Sequence, residues 1–240
     1  MIPARRAFTV FGVSPSEIEA AASDLPHDVT ATGIQVRRVR DGSTITVSST
    51  KTVREAAAYW LEWLATTFGA QRVARGTASL AALVADELRS RSFMIAAAES
   101  CTGGMFGERI TSVAGSSSVF WGSIVSYADE AKRTVLGVRE DTLARYGAVS
   151  EAVVSEMARG VRALSGAHMS VAISGIAGPD GGTREKPVGT VWLACDDRGE
   201  VITKRFHFDG DRGRIRRDAV VEALLLIRGR YRAIALKSRE

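Results

Sequence analysis

The sequence predicts an α/β protein: a three-layer α/β/α domain with a mostly parallel or mixed sheet, preceded by a small α+β module. Two patterns predict it. From residue 93 onward, apolar runs of strand length alternate with segments whose apolar residues recur every three or four positions, the order that lays helices over a sheet. Before residue 77 the order is strand, helix, strand, strand, helix, a plan of its own. The 240 residues allow one large or two small domains, and the change of pattern divides them into 1–76 and 77–240.

The first strand is read at residues 7–13. Arg5 and Arg6 before it imitate a signal peptide, but Ser14-Pro15-Ser16-Glu17 cuts the apolar run short. Ser14 or Ser16 then caps a helix with Glu17 and Glu19 in its first turn. Residues 33–37 suggest a strand, and residues 43–48 alternate polar and apolar side chains with period two. Thr52 opens a helix whose apolar side carries Ala56, Ala57, Trp60, Leu61, Trp63 and Leu64.

In the second domain Leu80, Leu83, Val84 and Leu88 fall at helical spacing before a strand at 93–98. Strands follow at 119–127, 169–174, 188–195 and 201–208, with helices at 151–165 and 212–227. Asp196-Asp197-Arg198-Gly199 reads as a hairpin turn, which makes the sheet mixed.

Composition excludes several classes. The greasiest segment, residues 219–227, is too short for a bilayer and holds Glu222, so no membrane span is expected. Cys101 and Cys195 have neither a disulfide framework nor metal-ligand spacing, which fits a reducing cytoplasm. His27, His168 and His207 lack cysteine or carboxylate partners at ligand spacing, so neither a metal site nor a Ser-His-Asp triad is expected. The net charge of +5 is concentrated at the end: residues 204–240 hold eleven Lys/Arg against five Asp/Glu. No aromatic residues interleave there as a stacking platform for nucleic acid, so a solvated face or a phosphate-binding patch is the expected use.

Four segments carry candidate chemistry. The apolar run Phe93 to Ala98 stops at Glu99-Ser100-Cys101-Thr102-Gly103-Gly104 before a helix, which brings small nucleophiles beside backbone N–H groups that favour negative charge. A strand-to-helix turn with Thr102 as N-cap and no chemistry has the same composition. Tyr127 and Lys132 lie where a strand yields to a helical turn. Lys132 reads either as a surface lysine paired with Asp129 or as a desolvated base for a serine. Ser174-Gly175-Ile176-Ala177-Gly178-Pro179 is a glycine-rich loop after a strand, without Walker or dinucleotide spacing. Finally, Asp211 can cap the last helix, and Arg212 and Arg216 stand one turn apart on it, an unfavourable pairing unless something anionic lies between them.

Taken in order, several of these motifs resemble the C-terminal domain of the CinA (competence/damage-inducible protein) family, the bacterial nicotinamide mononucleotide amidohydrolases. The matching residues are Ala98 to Gly104, Gly115-Ser116-Ser117, Val125-Ser126-Tyr127 with Glu130-Ala131-Lys132, Leu136-Gly137-Val138, Gly147 to Glu151, Gly175 to Pro179 and Lys186 to Val191. The likeness covers about residues 77–235. The small module resembles the KH-like middle domain of full-length CinA proteins, although residues 1–76 contain no G-x-x-G loop.

The resemblance implies a serine amidase with Ser100 as nucleophile supported by Tyr127 and Lys132. It implies a substrate pocket from Thr102, Gly103, Gly104, Ser174, Gly175, Ala177 and Gly178, and phosphate contacts from Arg216 with Arg212. No cofactor is implied, the partner is nicotinamide mononucleotide, and a cytoplasmic homo-oligomer is expected. Two other readings compete: hydrolysis of a different small amide, and a nucleotide-sensing or DNA-associated module without turnover, whose support is the basic tail.

Overall fold

The computed structural model describes residues 4–23, 25, 33–49, 53–77 and 79–237, in two compact units divided between Leu80 and Ala81. Thr52 and His27 lie outside the described residues.

The first unit contains β1 (Ala4–Phe11), α1 (Pro15–Ala22), β2 (Gly33–Val39), β3 (Gly42–Ser49), α2 (Val53–Phe68) and β4 (Val73–Arg75). The sheet order is β2-β3-β1-β4, antiparallel throughout. Ser14 caps α1 in a reciprocal box: the Glu17 N–H donates to its hydroxyl, and the Ser14 hydroxyl and N–H both donate to the Glu17 carboxylate, which lowers the Glu17 pKa. Phe8, Val10, Ile45 and Val47 alternate inward and bury against Ile18, Trp60 and Leu64. The strands shift by a few residues from the sequence reading, and one is added: β1 starts at Ala4 and Gly12, at φ 69°, ends it before Val13, while β4 is too short at three residues to show a period.

The second unit contains all but the first residue of α3 (Leu80–Arg89), then β5 (Ile95–Glu99), α4 (Met105–Thr111), β6 (Phe120–Val125), α5 (Asp129–Leu136), α6 (Glu140–Tyr146), α7 (Glu151–Ser165), β7 (Met169–Gly175), β8 (Thr190–Asp197), β9 (Glu200–His207) and α8 (Arg212–Lys237). Its sheet has the order β6-β5-β7-β8-β9; β5 is parallel to β6 and β7, and the last two pairings are antiparallel. The hairpin joining β8 to β9 turns at Arg198 and Gly199, both with positive φ, as a two-residue loop of primed type requires.

Strands β5, β7 and β8 are buried almost along their whole length because helices cover both faces. On one face Ala96, Ala98 and Ala172 meet Leu136 of α5 and Val153, Val154, Met157 and Val161 of α7. Each buried Leu, Val or Met side chain among them contributes about 1.5–3 kcal/mol. α8 packs against β7 and β8. The three parallel strands all end at one edge of the sheet, where ligands of open α/β sheets bind.

Much of the basic charge in α8 is paired within the unit. Arg228 and Arg232 hold Glu87, Arg230 holds Asp197 and Glu200, and Arg214 holds Asp218. Arg228 is almost completely buried, and that desolvation lowers its pKa. His168 also serves the fold: its Nδ1 accepts from the Met94 N–H at 3.0 Å and its ring stacks on Phe93. Among the described residues no helix is long and apolar enough to cross a membrane.

Candidate active site

The turn after β5 is organised by Glu99. Its side chain is completely buried, and its carboxylate accepts four hydrogen bonds. Oε2 accepts from the N–H groups of Gly104 and Phe106, both at 3.0 Å, and Oε1 from Gly107 N–H at 2.9 Å and Ser123 Oγ at 2.7 Å. A carboxylate reaching from the strand end thus satisfies the first donors of α4. The alternative reading of this turn made Thr102 the N-cap; instead α4 begins at Met105 behind Gly104, and no N-cap side chain bonds to it. Gly103 and Gly104, at φ 57° and 92°, allow the chain to curl around the carboxylate.

This arrangement selects among the backbone donors of the turn. Gly103 N–H donates to the Ser100 carbonyl and Gly104 N–H to Glu99, so among the described residues the N–H groups of this turn that bond to no other residue are those of Thr102 and of Cys101, the latter facing its own thiol. Both flank Ser100 on its C-terminal side. Ser100 is 8% exposed, its N–H extends the ladder to the Ile173 carbonyl, and its hydroxyl has no partner among the described residues. Cys101 is no competing nucleophile, since burial pushes its thiol up to about 12.

Lys132 is buried, with 1% of its side chain exposed, and is also paired with Asp129, so features of both sequence readings occur together. Its Nζ donates at 3.1 Å to the Tyr127 carbonyl and at 3.1 Å to Asp129 Oδ1. The Tyr127 ring is largely exposed, and its hydroxyl accepts from Arg212 rather than from Lys132, at 3.1 Å. Tyr127 therefore reaches Lys132 through its main chain.

The two arginines of α8 are fastened to different loops, which separates their like charges. Arg212 bridges Tyr127 and the Gly178 carbonyl, the latter at 2.7 Å. Arg216 donates at 2.7 Å to the Thr102 carbonyl, while its buried Nε has no partner among the described residues. Asp211 caps α8 as expected, accepting from the Arg214 N–H.

In the glycine-rich loop, Ser174 is fully buried and its hydroxyl donates to the Ala148 carbonyl at 2.8 Å, so it is engaged with the fold rather than open to a ligand. Gly175 is required by packing, since a Cβ there would lie 2.6 Å from Val191 Cγ2. Ala177 is buried, and Gly178 adopts φ 75° against Val188. Among the described residues no group of three metal-ligating side chains comes together. The Lys132–Asp129 pair is one that the sequence offers, whereas the capping role of Glu99 is not, since its partners at 104–107 and 123 meet it only in the fold.

A family model described as the CinA C-terminal domain matches residues 77–231. The Escherichia coli K12 nicotinamide-nucleotide amidohydrolase PncC is 54% identical over 142 residues, 59% of this chain and 86% of that protein. A CinA-like protein of Geobacter sulfurreducens is 41% identical over 226 residues; the match covers 92% of this chain and 55% of that relative. A solved CinA superfamily structure from Klebsiella pneumoniae aligns with TM-score 0.63 and 41% identity, over 64% of this chain and 96% of the other. The competence/damage inducible protein CihA of Agrobacterium tumefaciens gives 0.59 and 39%, over 63% and 96%. With its matched domain, its α/β fold and these neighbours, the chain belongs to the CinA C-terminal domain family.

Proposed function

We propose that this protein hydrolyses the carboxamide of nicotinamide mononucleotide to nicotinate mononucleotide and ammonia, a step of pyridine nucleotide salvage. The observation that carries the reading is the Ser100 hydroxyl, unpartnered among the described residues, on a turn whose Cys101 and Thr102 N–H groups bond to no other residue, in a domain 54% identical over 142 residues to a nicotinamide-nucleotide amidohydrolase.

In this reading Ser100 Oγ attacks the carboxamide carbon while Lys132, as the neutral amine, accepts the proton. The developing oxyanion takes the N–H groups of Cys101 and Thr102, a contribution of about 3–4 kcal/mol per donor in comparable sites. Lys132 returns the proton to the departing nitrogen, ammonia leaves, and water releases the acid from the acyl-enzyme. Tyr127 assists by holding Lys132 through its carbonyl. Thr102, Gly103, Gly104, Ser174, Gly175, Ala177 and Gly178 build the pocket wall, Ser174 from behind. Arg216 and Arg212 offer N–H groups to the substrate phosphate. The division at 76/77, a homo-oligomeric state and a cytoplasmic location belong to the same reading.

The test is product identification. Incubation with nicotinamide mononucleotide, followed by anion-exchange chromatography, is expected to give nicotinate mononucleotide and ammonia in equal amounts. Free nicotinamide as the product would mean cleavage at the glycosidic bond and would overturn the assignment.

A further inference from the structure

Ser126 is fully buried, and its hydroxyl has no hydrogen-bond partner among the described residues. Its place in the sheet makes this consequential. Glu99 and Ser123 meet through their side chains on the α4 side of β5 and β6. Strand alternation therefore turns Ala98 and Ile124 to the opposite face, where they pack with Leu136 of α5. Ladder bonds continue one residue beyond both strands, from Ser100 N–H to the Ile173 carbonyl and from Ser126 N–H to the Glu99 carbonyl. Ser100 and Ser126 thus fall on the face that carries α5. Lys132 precedes Leu136 by one helical turn, so it shares that inward stripe.

Donor counting points the same way. A protonated lysine has three N–H bonds, and Lys132 directs two of them at Tyr127 and Asp129. Among the described residues, one position on Lys132, the Ser126 hydroxyl and the Ser100 hydroxyl all lack partners. A serine hydroxyl donates one hydrogen bond while accepting another, the property of a two-way proton relay.

We propose that Ser126 is the proton relay between Ser100 and Lys132. The proposal rests on the Ser100 amidase reading and adds a third group to it. As the Ser100 Oγ–carbon bond forms, the Ser100 proton passes to Ser126 Oγ and the Ser126 proton passes to the neutral amine of Lys132. On collapse the Lys132 ammonium gives a proton to Ser126, which gives its own to the departing nitrogen, and the carbon–nitrogen bond breaks to release ammonia. Water attack on the acyl-enzyme repeats the sequence and returns the proton to Ser100.

The experiment measures how fast a fluorophosphonate labels Ser100 in the full chain, read by intact mass, so that the identity of the amide substrate does not enter. Ser126→Ala is expected to slow labelling about a hundred-fold, Ser126→Thr to keep it within a few-fold, and Ser126→Ala/Lys132→Ala to be no slower than Lys132→Ala. Labelling of Ser126→Ala at the wild-type rate, additive losses in the double variant, or failure of the wild type to label would each overturn the relay. Wild-type labelling without ammonia release from nicotinamide mononucleotide would instead overturn the substrate assignment and leave the relay standing.

Discussion

Ser123 on β6 donates a 2.7 Å hydrogen bond to Oε1 of Glu99 on β5, and that carboxylate also receives the first N–H groups of α4. One buried acid therefore ties two strands and a helix together beneath the Ser100 turn. Replacing it by alanine strands three backbone donors and a hydroxyl. Glu99→Ala is expected to destabilise the second unit by about 3–5 kcal/mol, seen as a lower midpoint in urea denaturation. An unchanged midpoint would mean that solvent or other groups take over the cap.

Gly160 on α7 is the contact point for the helix that carries Lys132. A Cβ there would lie 1.9 Å from the Leu136 carbonyl oxygen, so α5 must shift if any side chain is added. Gly160→Ala is expected to cost about 1–3 kcal/mol and to reduce kcat about ten-fold or more by displacing Lys132. A thermal melt and a steady-state assay check the two effects separately. Full activity at a lowered Tm would show that the position of α5 does not matter for turnover.

The elements legible in the sequence were those with a repeating pattern. The α7 stripe of Val153, Val154, Met157 and Val161 has helical period, and the Arg198-Gly199 turn has the required glycine, so both appear where they were read. Glu99 was not legible as a cap because its partners lie at 104–107 and 123, and only the fold brings them together. The α6 helix, at seven residues, was too short to declare itself. At the site, the sequence pointed to Ser100, Lys132 and Arg216. It could not indicate that the Tyr127 hydroxyl meets Arg212 or that Ser174 turns to Ala148, because both contacts join segments far apart in the chain.

Arg212 and Arg216 divide the proposed phosphate contact differently. Arg212→Lys keeps the charge but loses the fork that spans Tyr127 and Gly178, so KM is expected to rise about ten-fold with kcat nearly unchanged. Arg216→Ala also releases the Thr102 carbonyl, next to the proposed oxyanion donors, and is expected to lower kcat and raise KM by about ten-fold each. Equal effects of the two substitutions on kcat would contradict this division.

The two cysteines set an alkaline limit on stability. Burial raises both thiols from 9.0 to about 12, so between these pH values the unfolded chain loses thiol protons that the folded chain keeps. Their contribution is fully present below pH 9 and falls as pH rises, by up to about 1.4 kcal/mol per pH unit for each thiol. Urea denaturation at pH 8 and pH 10.5 is expected to show a smaller loss of stability for Cys101→Ala/Cys195→Ala than for the wild type. An identical loss would mean that the thiols are not protonated and buried as described.

The central claim is that Ser100 opens the amide bond of a nicotinamide nucleotide. Ammonia release from nicotinamide mononucleotide, followed for wild type and Ser100→Ala at equal concentration, tests it directly. Steady release by the wild type with a loss of at least about a thousand-fold in the variant is predicted. Release by Ser100→Ala at the wild-type rate, or none by the wild type, would contradict the account.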